Sequence, residues 1–84
     1  MNTYYLRKFR KKAKEFTRIQ CYKGHYVVEL KENIGVGYTL WHWSIVKSLI
    51  RTLKEAQLER KAVGKALIIK PEIEKVKNKR LAKL

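Results

Sequence analysis

The sequence predicts an α+β fold, a small three-stranded antiparallel sheet packed against one long helix, in the order αβββαα. Three observations predict it. Thr17 to Tyr22 alternates in polarity, and Tyr26 to Leu30 does so again just after Lys23-Gly24, the pattern of half-buried strands joined by a tight hairpin. After a second glycine-containing break, Tyr38-Thr39-Leu40-Trp41-His42-Trp43 carries the aromatic and β-branched residues that strands favour. From Ser44 onward, Ile45, Val46, Leu49, Ile50, Leu53 and Ala56 recur at spacings of one, three and four, a single helical face. A helix laid across the sheet buries both apolar surfaces.

Taken in order, Asn2 to Phe16 reads as an amphipathic helix. Tyr5, Leu6, Phe9, Ala13 and Phe16 form its apolar stripe, basic residues fill the remaining circumference, and Asn2 or Thr3 is placed to cap it. In the first strand Ile19 and Cys21 share one face, with Arg18, Gln20 and Tyr22 on the other. Gly35 and Gly37 suit a positive φ or a bulge at the second hairpin tip. A glycine pair also resembles part of a phosphate-cradling loop, but no lysine-threonine or lysine-serine follows and a strand comes next, so the pair reads as a turn. Ser44 is the expected N-cap of the main helix, which extends to about Ala62, with Gly64 as its stop.

Lys65 to Lys70 is either a short extended segment or a last apolar helical turn; Leu67 to Ile69 is too apolar to stay in water. Pro71 suits the first position of a second helix, where its missing N–H costs nothing. Glu72 and Glu74 then lie near the positive end of that helix, and Lys75, Lys77, Lys79, Arg80 and Lys83 toward the negative end. Ile73, Val76, Leu81 and Leu84 form only a thin stripe. The organisation expected is one α+β domain over residues 1–70 and a basic C-terminal helical extension over 71–84.

Charge is the strongest global property. The chain has 84 residues with 21 basic and 7 acidic side chains, a net charge of +14. Self-repulsion of that size weakens a compact state unless an anionic partner is present, and RNA or DNA is the natural candidate. Two contact surfaces are expected. Arg7, Lys8, Arg10, Lys11, Lys12, Lys14 and Arg18 form one, and Lys75, Lys77, Lys79, Arg80 and Lys83 form the other. Trp41 and Trp43 share a strand face, and with Tyr38 they are candidate anchors, either stacking on bases or seated in a protein partner. The competing structural role is burial of both tryptophans beneath a flanking helix.

Catalytic constellations are thin. The seven acidic residues are dispersed glutamates and there is no aspartate, so no carboxylate cluster for two-metal chemistry is indicated. Cys21 with His25 or His42 lacks the second ligand pair of a zinc site, and Cys21 beside Ile19 reads as a small buried hydrophobe. No catalytic residue, metal or cofactor is therefore expected. The N-terminus lacks a signal peptide's apolar core. It resembles a mitochondrial presequence in being basic and amphipathic, although Glu15 and the scarcity of serine argue against that, and the location expected is cytoplasmic. A membrane partner is disfavoured; the residual possibility is an amphipathic helix, residues 1–18, on an anionic surface.

The order helix, three strands, helix resembles that of double-stranded-RNA-binding domains. Their lysine cluster at the start of the final helix is matched here only by Lys47, after Ser44-Ile45-Val46. A three-stranded sheet with one helix is also similar to the arm-binding domains of some mobile-element integrases, which use the sheet face on DNA. Neither likeness includes a diagnostic motif, so no family is assigned. The function expected is non-enzymatic nucleic-acid binding through the phosphate backbone with low sequence specificity. RNA is favoured over DNA, as in a ribonucleoprotein or ribosome-associated component. The alternative is a small viral or mobile-element interaction module, an inhibitor or accessory subunit docking on a nucleic-acid-handling enzyme through its aromatic face. Oligomeric state is not specified by the sequence.

Overall fold

The computed structural model describes residues 3–82, with the side chain of Ala82 excepted. Asn2, Lys83 and Leu84, which carry the expected cap, one expected cation and the end of the thin stripe, lie outside the described residues. Helix α1 (Thr3–Phe16) leads directly into strand β1 (Thr17–Tyr22), followed by β2 (His25–Asn33) and β3 (Trp41–Ile50). Helix α2 (Leu53–Gly64) continues through a π-helical turn (Lys65–Ile69) into α3 (Lys70–Ala82). The fold is α+β, with an antiparallel sheet in the order β1-β2-β3.

The β1–β2 hairpin closes at Tyr22 and His25, and Lys23 and Gly24 have φ of 49° and 81°. Two positive φ values in a two-residue loop define a type I′ turn, whose twist matches that of the strands. The β2–β3 connection is longer. The Asn33 side chain accepts from the N–H groups of Gly35 (3.1 Å) and Leu40 (2.9 Å), and Ile34 N–H donates to Leu40 O at 2.8 Å. Of the glycine pair, Gly37 takes the positive φ, 74°. Gly35 is needed for space: a Cβ there would collide with the carbonyl oxygen of Tyr38.

The main helix begins later than its periodicity predicts. Trp41 to Ile50 is extended throughout, so Ser44 lies in a strand opposite Leu30, and Tyr38 to Leu40 belong to the loop. Pairing shifts between Glu29 and Val28, and again between Val28 and Tyr26, leaving β3 with extra residues, and Leu49 takes a φ of 57°. Thr52 then caps α2, its hydroxyl accepting from Glu55 N–H at 3.2 Å. Gly64 does not stop the helix. It has ordinary helical φ and ψ, and a Cβ on it would stand 3.1 Å from that of Ala13. Its role is to let α1 approach.

Nor does Pro71 begin a new helix. Lys70 N–H bonds to Lys65 O across the π turn, and the chain carries on helically through Pro71. This wider turn occurs where a proline would otherwise break the hydrogen-bond ladder.

All three helical segments in contact with the core lie on one side of the sheet. Val28, Ile50, Ala56 and Val63 form one buried cluster with Ile19, Tyr26 and Val46 packed against it. Ala13, Leu30 and Ile68 form a second, flanked by Phe16, Val46 and Ile69. The apolar Leu67–Ile69 segment thus docks through Ile68 and Ile69. Alternation along the strands puts Arg18, Gln20, Val27, Glu29, Lys31, Trp43 and Ile45 on the opposite sheet face, away from these clusters. The molecule is thin, 53 × 32 × 15 Å.

Candidate nucleic-acid interface

Helix α1 sorts its side chains by the helical period. Phe9 and Ala13 are buried and Tyr5, Leu6 and Phe16 are half-buried, whereas Arg7, Lys8, Arg10, Lys11 and Lys14 are exposed. Arg7, Lys11 and Lys14 stand four and three residues apart and so line one ridge, with Lys8 and Arg10 on its flanks. Among the described residues none of these five is in an ion pair.

Lys12 points elsewhere. Its Nζ lies 2.8 Å from Glu72 Oε1 and 5.5 Å from the centre of the Phe16 ring, and Lys75 reaches the same carboxylate at 3.8 Å. The Lys12 hydrogen bond, reinforced by the charges of Lys12 and Lys75, holds the Glu72 carboxyl below its ordinary value despite some desolvation. This contact ties α1 to α3 and joins the two basic segments around one carboxylate. Lys79, seven residues beyond Glu72, continues that face of α3; Lys77 and Arg80 are exposed elsewhere on the helix.

Arg18 is separated from the α1 ridge. On the helix-free sheet face its Nε donates to Glu29 Oε1 at 2.8 Å, and its guanidinium stacks 4.1 Å from the centre of the Trp43 ring. Glu29 is buried, and the ion pair together with the stacked indole accounts for how a carboxylate is accommodated there. Lys31 Nζ lies 4.9 Å from the centre of the Trp41 ring and 5.7 Å from that of Phe16. Trp41 meets Phe16 edge-on at 5.4 Å. Trp41 is 49% exposed and Trp43 half-buried, so neither is core beneath a helix. Tyr38, 64% exposed in the β2–β3 loop, shares no strand with them.

Arg60, Lys61 and Lys65 of the long helix, which were not among the expected contacts, lie against α1. Arg60 donates to Thr17 Oγ1 (3.1 Å), Thr17 O (3.0 Å) and Lys14 O (2.8 Å), satisfying a carbonyl in the last turn of α1 and fixing the first residue of β1. Lys61 and Lys65 lie beside it, facing Arg10 and Lys14. Their four-residue spacing was legible; which face of the helix met α1 was not.

Cys21 is exposed near the hairpin end of edge strand β1, not buried as expected. Among the described residues no group of three or more His, Cys, Asp or Glu side chains is placed to hold a metal ion. No described helix is long and apolar enough to cross a membrane. The Lys47 position compared above with a final-helix lysine lies in β3. No known protein family, no curated protein and no solved structure matches the chain.

Proposed function

We propose that this protein binds nucleic acid through the phosphate backbone, without catalysis and with low sequence specificity, RNA being preferred over DNA. The observation that carries the reading is the α1 ridge: Arg7, Lys8, Arg10, Lys11 and Lys14, exposed and without ion pairs among the described residues, in a chain of net charge +14. The few internal ion pairs hold Lys12, Arg18 and Lys75, so those cations serve the fold first and phosphate second. Backbone contact is favoured over base stacking because Arg18 and Lys31 already lie over the rings of Trp43 and Trp41. Binding to matched single-stranded RNA, duplex RNA and duplex DNA at two salt concentrations tests it. With ~6–10 phosphates engaged, affinity should fall by ~10³–10⁵ between 50 and 200 mM salt. Weak binding, indifferent to ligand and absent at physiological salt, would exclude it.

A second reading is a protein-interaction module anchored by Trp41, Trp43 and Tyr38. It is favoured by the helix-free sheet face and the half-exposed Trp41. Charge reversal at Arg7 and Lys11 should abolish nucleic-acid binding and spare this contact, whereas Trp43→Ala should do the opposite.

A further inference from the structure

Helices α1 and α2 approach closely where Ala13 meets Gly64. Beside that contact α1 and the long helix leave an open groove of about 660 Å³. Leu6, Ala13, Ile69 and Ile73 give it an apolar floor, while Arg10, Lys14, Arg60, Lys61 and Lys65 stand along its walls, with no carboxylate among the lining residues. An adjoining hollow of about 390 Å³ shares Lys65, Ile69 and Ile73 and continues over Ala62 and Ala66 to Lys70. Ala62, Ala66, Ile69 and Ile73 follow one another at four, three and four residues, the spacing with which one helix packs another. Ala62 and Ala66 are exposed, Ile69 and Ile73 half-buried.

We infer that this groove docks an acidic amphipathic helix of a partner protein. The chemistry of the walls selects that occupant. Phosphates alone would neutralise the cations but leave the isoleucines in water, and a second copy of this chain would bring like charges together. A helix with an apolar seam flanked by Glu or Asp satisfies both floor and walls, and the alanines admit its backbone closely. The site is partly prearranged, because three hydrogen bonds already fix Arg60. From Leu6 to Lys14 the α1 wall rises ~12 Å, about two turns of a partner helix. The groove shares Arg10 and Lys14 with the α1 ridge, but its apolar floor and the Ala62–Ala66 stretch lie outside that ridge, so substitutions there test it apart from nucleic-acid binding.

The probe is a fluorescent synthetic peptide of about five turns at 3.6 residues each. It has Leu and Ile in the seam and Glu on both flanks, and is titrated with the full-length protein by anisotropy at physiological salt. A scrambled peptide of identical composition is the control. The seam peptide should bind at least ~10-fold more tightly than the scrambled one, and Ala66→Arg, at an exposed position, should remove that advantage. Circular dichroism and melting report whether Ala66→Arg remains folded, and Ala62→Arg serves if it does not. Both variants should retain duplex RNA binding. Equal affinity for the two peptides would mean attraction by charge alone and would overturn the inference. So would unchanged seam-peptide binding by both arginine variants, or loss of RNA binding in them, which would make the groove part of the nucleic-acid surface. Stoichiometric displacement of the peptide by dodecyl phosphate would assign the groove to a lipid-like anion instead.

Discussion

Glu72 is the residue on which the two basic segments converge, and its titration is a handle on their pairing. Its carboxyl ionises below the ordinary value of 4.5 because Lys12 donates to it and Lys75 lies close. A depressed carboxyl contributes stability that is fully present above the unfolded value and is lost as pH falls through the folded one. Stability should therefore decline as pH drops below about 4.5 in the wild type, and this component should vanish in Glu72→Gln; urea melts at several pH values measure both. The pair is partly exposed, so the effect at neutral pH should be only ~0.2–1 kcal/mol. Leu49 offers a test of the opposite sign. It is 76% exposed and has a φ of 57°, a left-handed conformation that a leucine adopts at a cost. Asparagine tolerates that region better, so Leu49→Asn should raise the denaturation midpoint by an amount equivalent to roughly 0.5–1 kcal/mol.

The long helix depends on its start at Thr52. Thr52→Ala removes the acceptor for Glu55 N–H and should cost ~0.5–2 kcal/mol, measured as a lower melting temperature with a loss of helical signal. The same site explains what was legible. Thr52 and Glu55 have the spacing of a capping box, which names the helix start in the sequence. The competing signal was the run Ile45, Val46, Leu49, Ile50, whose pairs at one and four residues also arise in a strand with apolar residues on both faces. Ile45 and Leu49 are in fact exposed, and only Val46 and Ile50 join the core. Helix α1, the β1–β2 hairpin and the antiparallel sheet were readable because each has one dominant period and, in the hairpin, a turn glycine. The π turn was not readable, since Gly64 and Pro71 carry the usual marks of a break and only the packing of Ala13 and Ile68 shows why the helix continues. The α1 ridge was visible as a charge pattern. The engagement of Lys12 and Arg18 with glutamates, and the facing of Lys61 and Lys65 toward α1, depend on long-range placement that local spacing does not encode.

At the scale of the molecule, a net charge of +14 sits on a body only 15 Å thick, so most cations are close to solvent. Screening their repulsion should raise the melting temperature as salt increases between about 20 and 300 mM. A gain of about 1 kcal/mol would appear as roughly 4–8 °C by calorimetry. The radius of gyration, 15.1 Å, exceeds the ~12 Å expected of a compact chain of this length, because α3 extends past the core and every side chain from Lys77 to Leu81 is exposed. Strand β2 is the opposite extreme, bonded to a neighbour on each edge, with Val27 2% and Val28 0% exposed on its two faces. In deuterated buffer this contrast becomes a clock. Amides of Val27 to Leu30 should be among the last to lose their protons, at rates set by global unfolding, while those from Asn78 to Leu81 exchange early through local opening of the exposed helix.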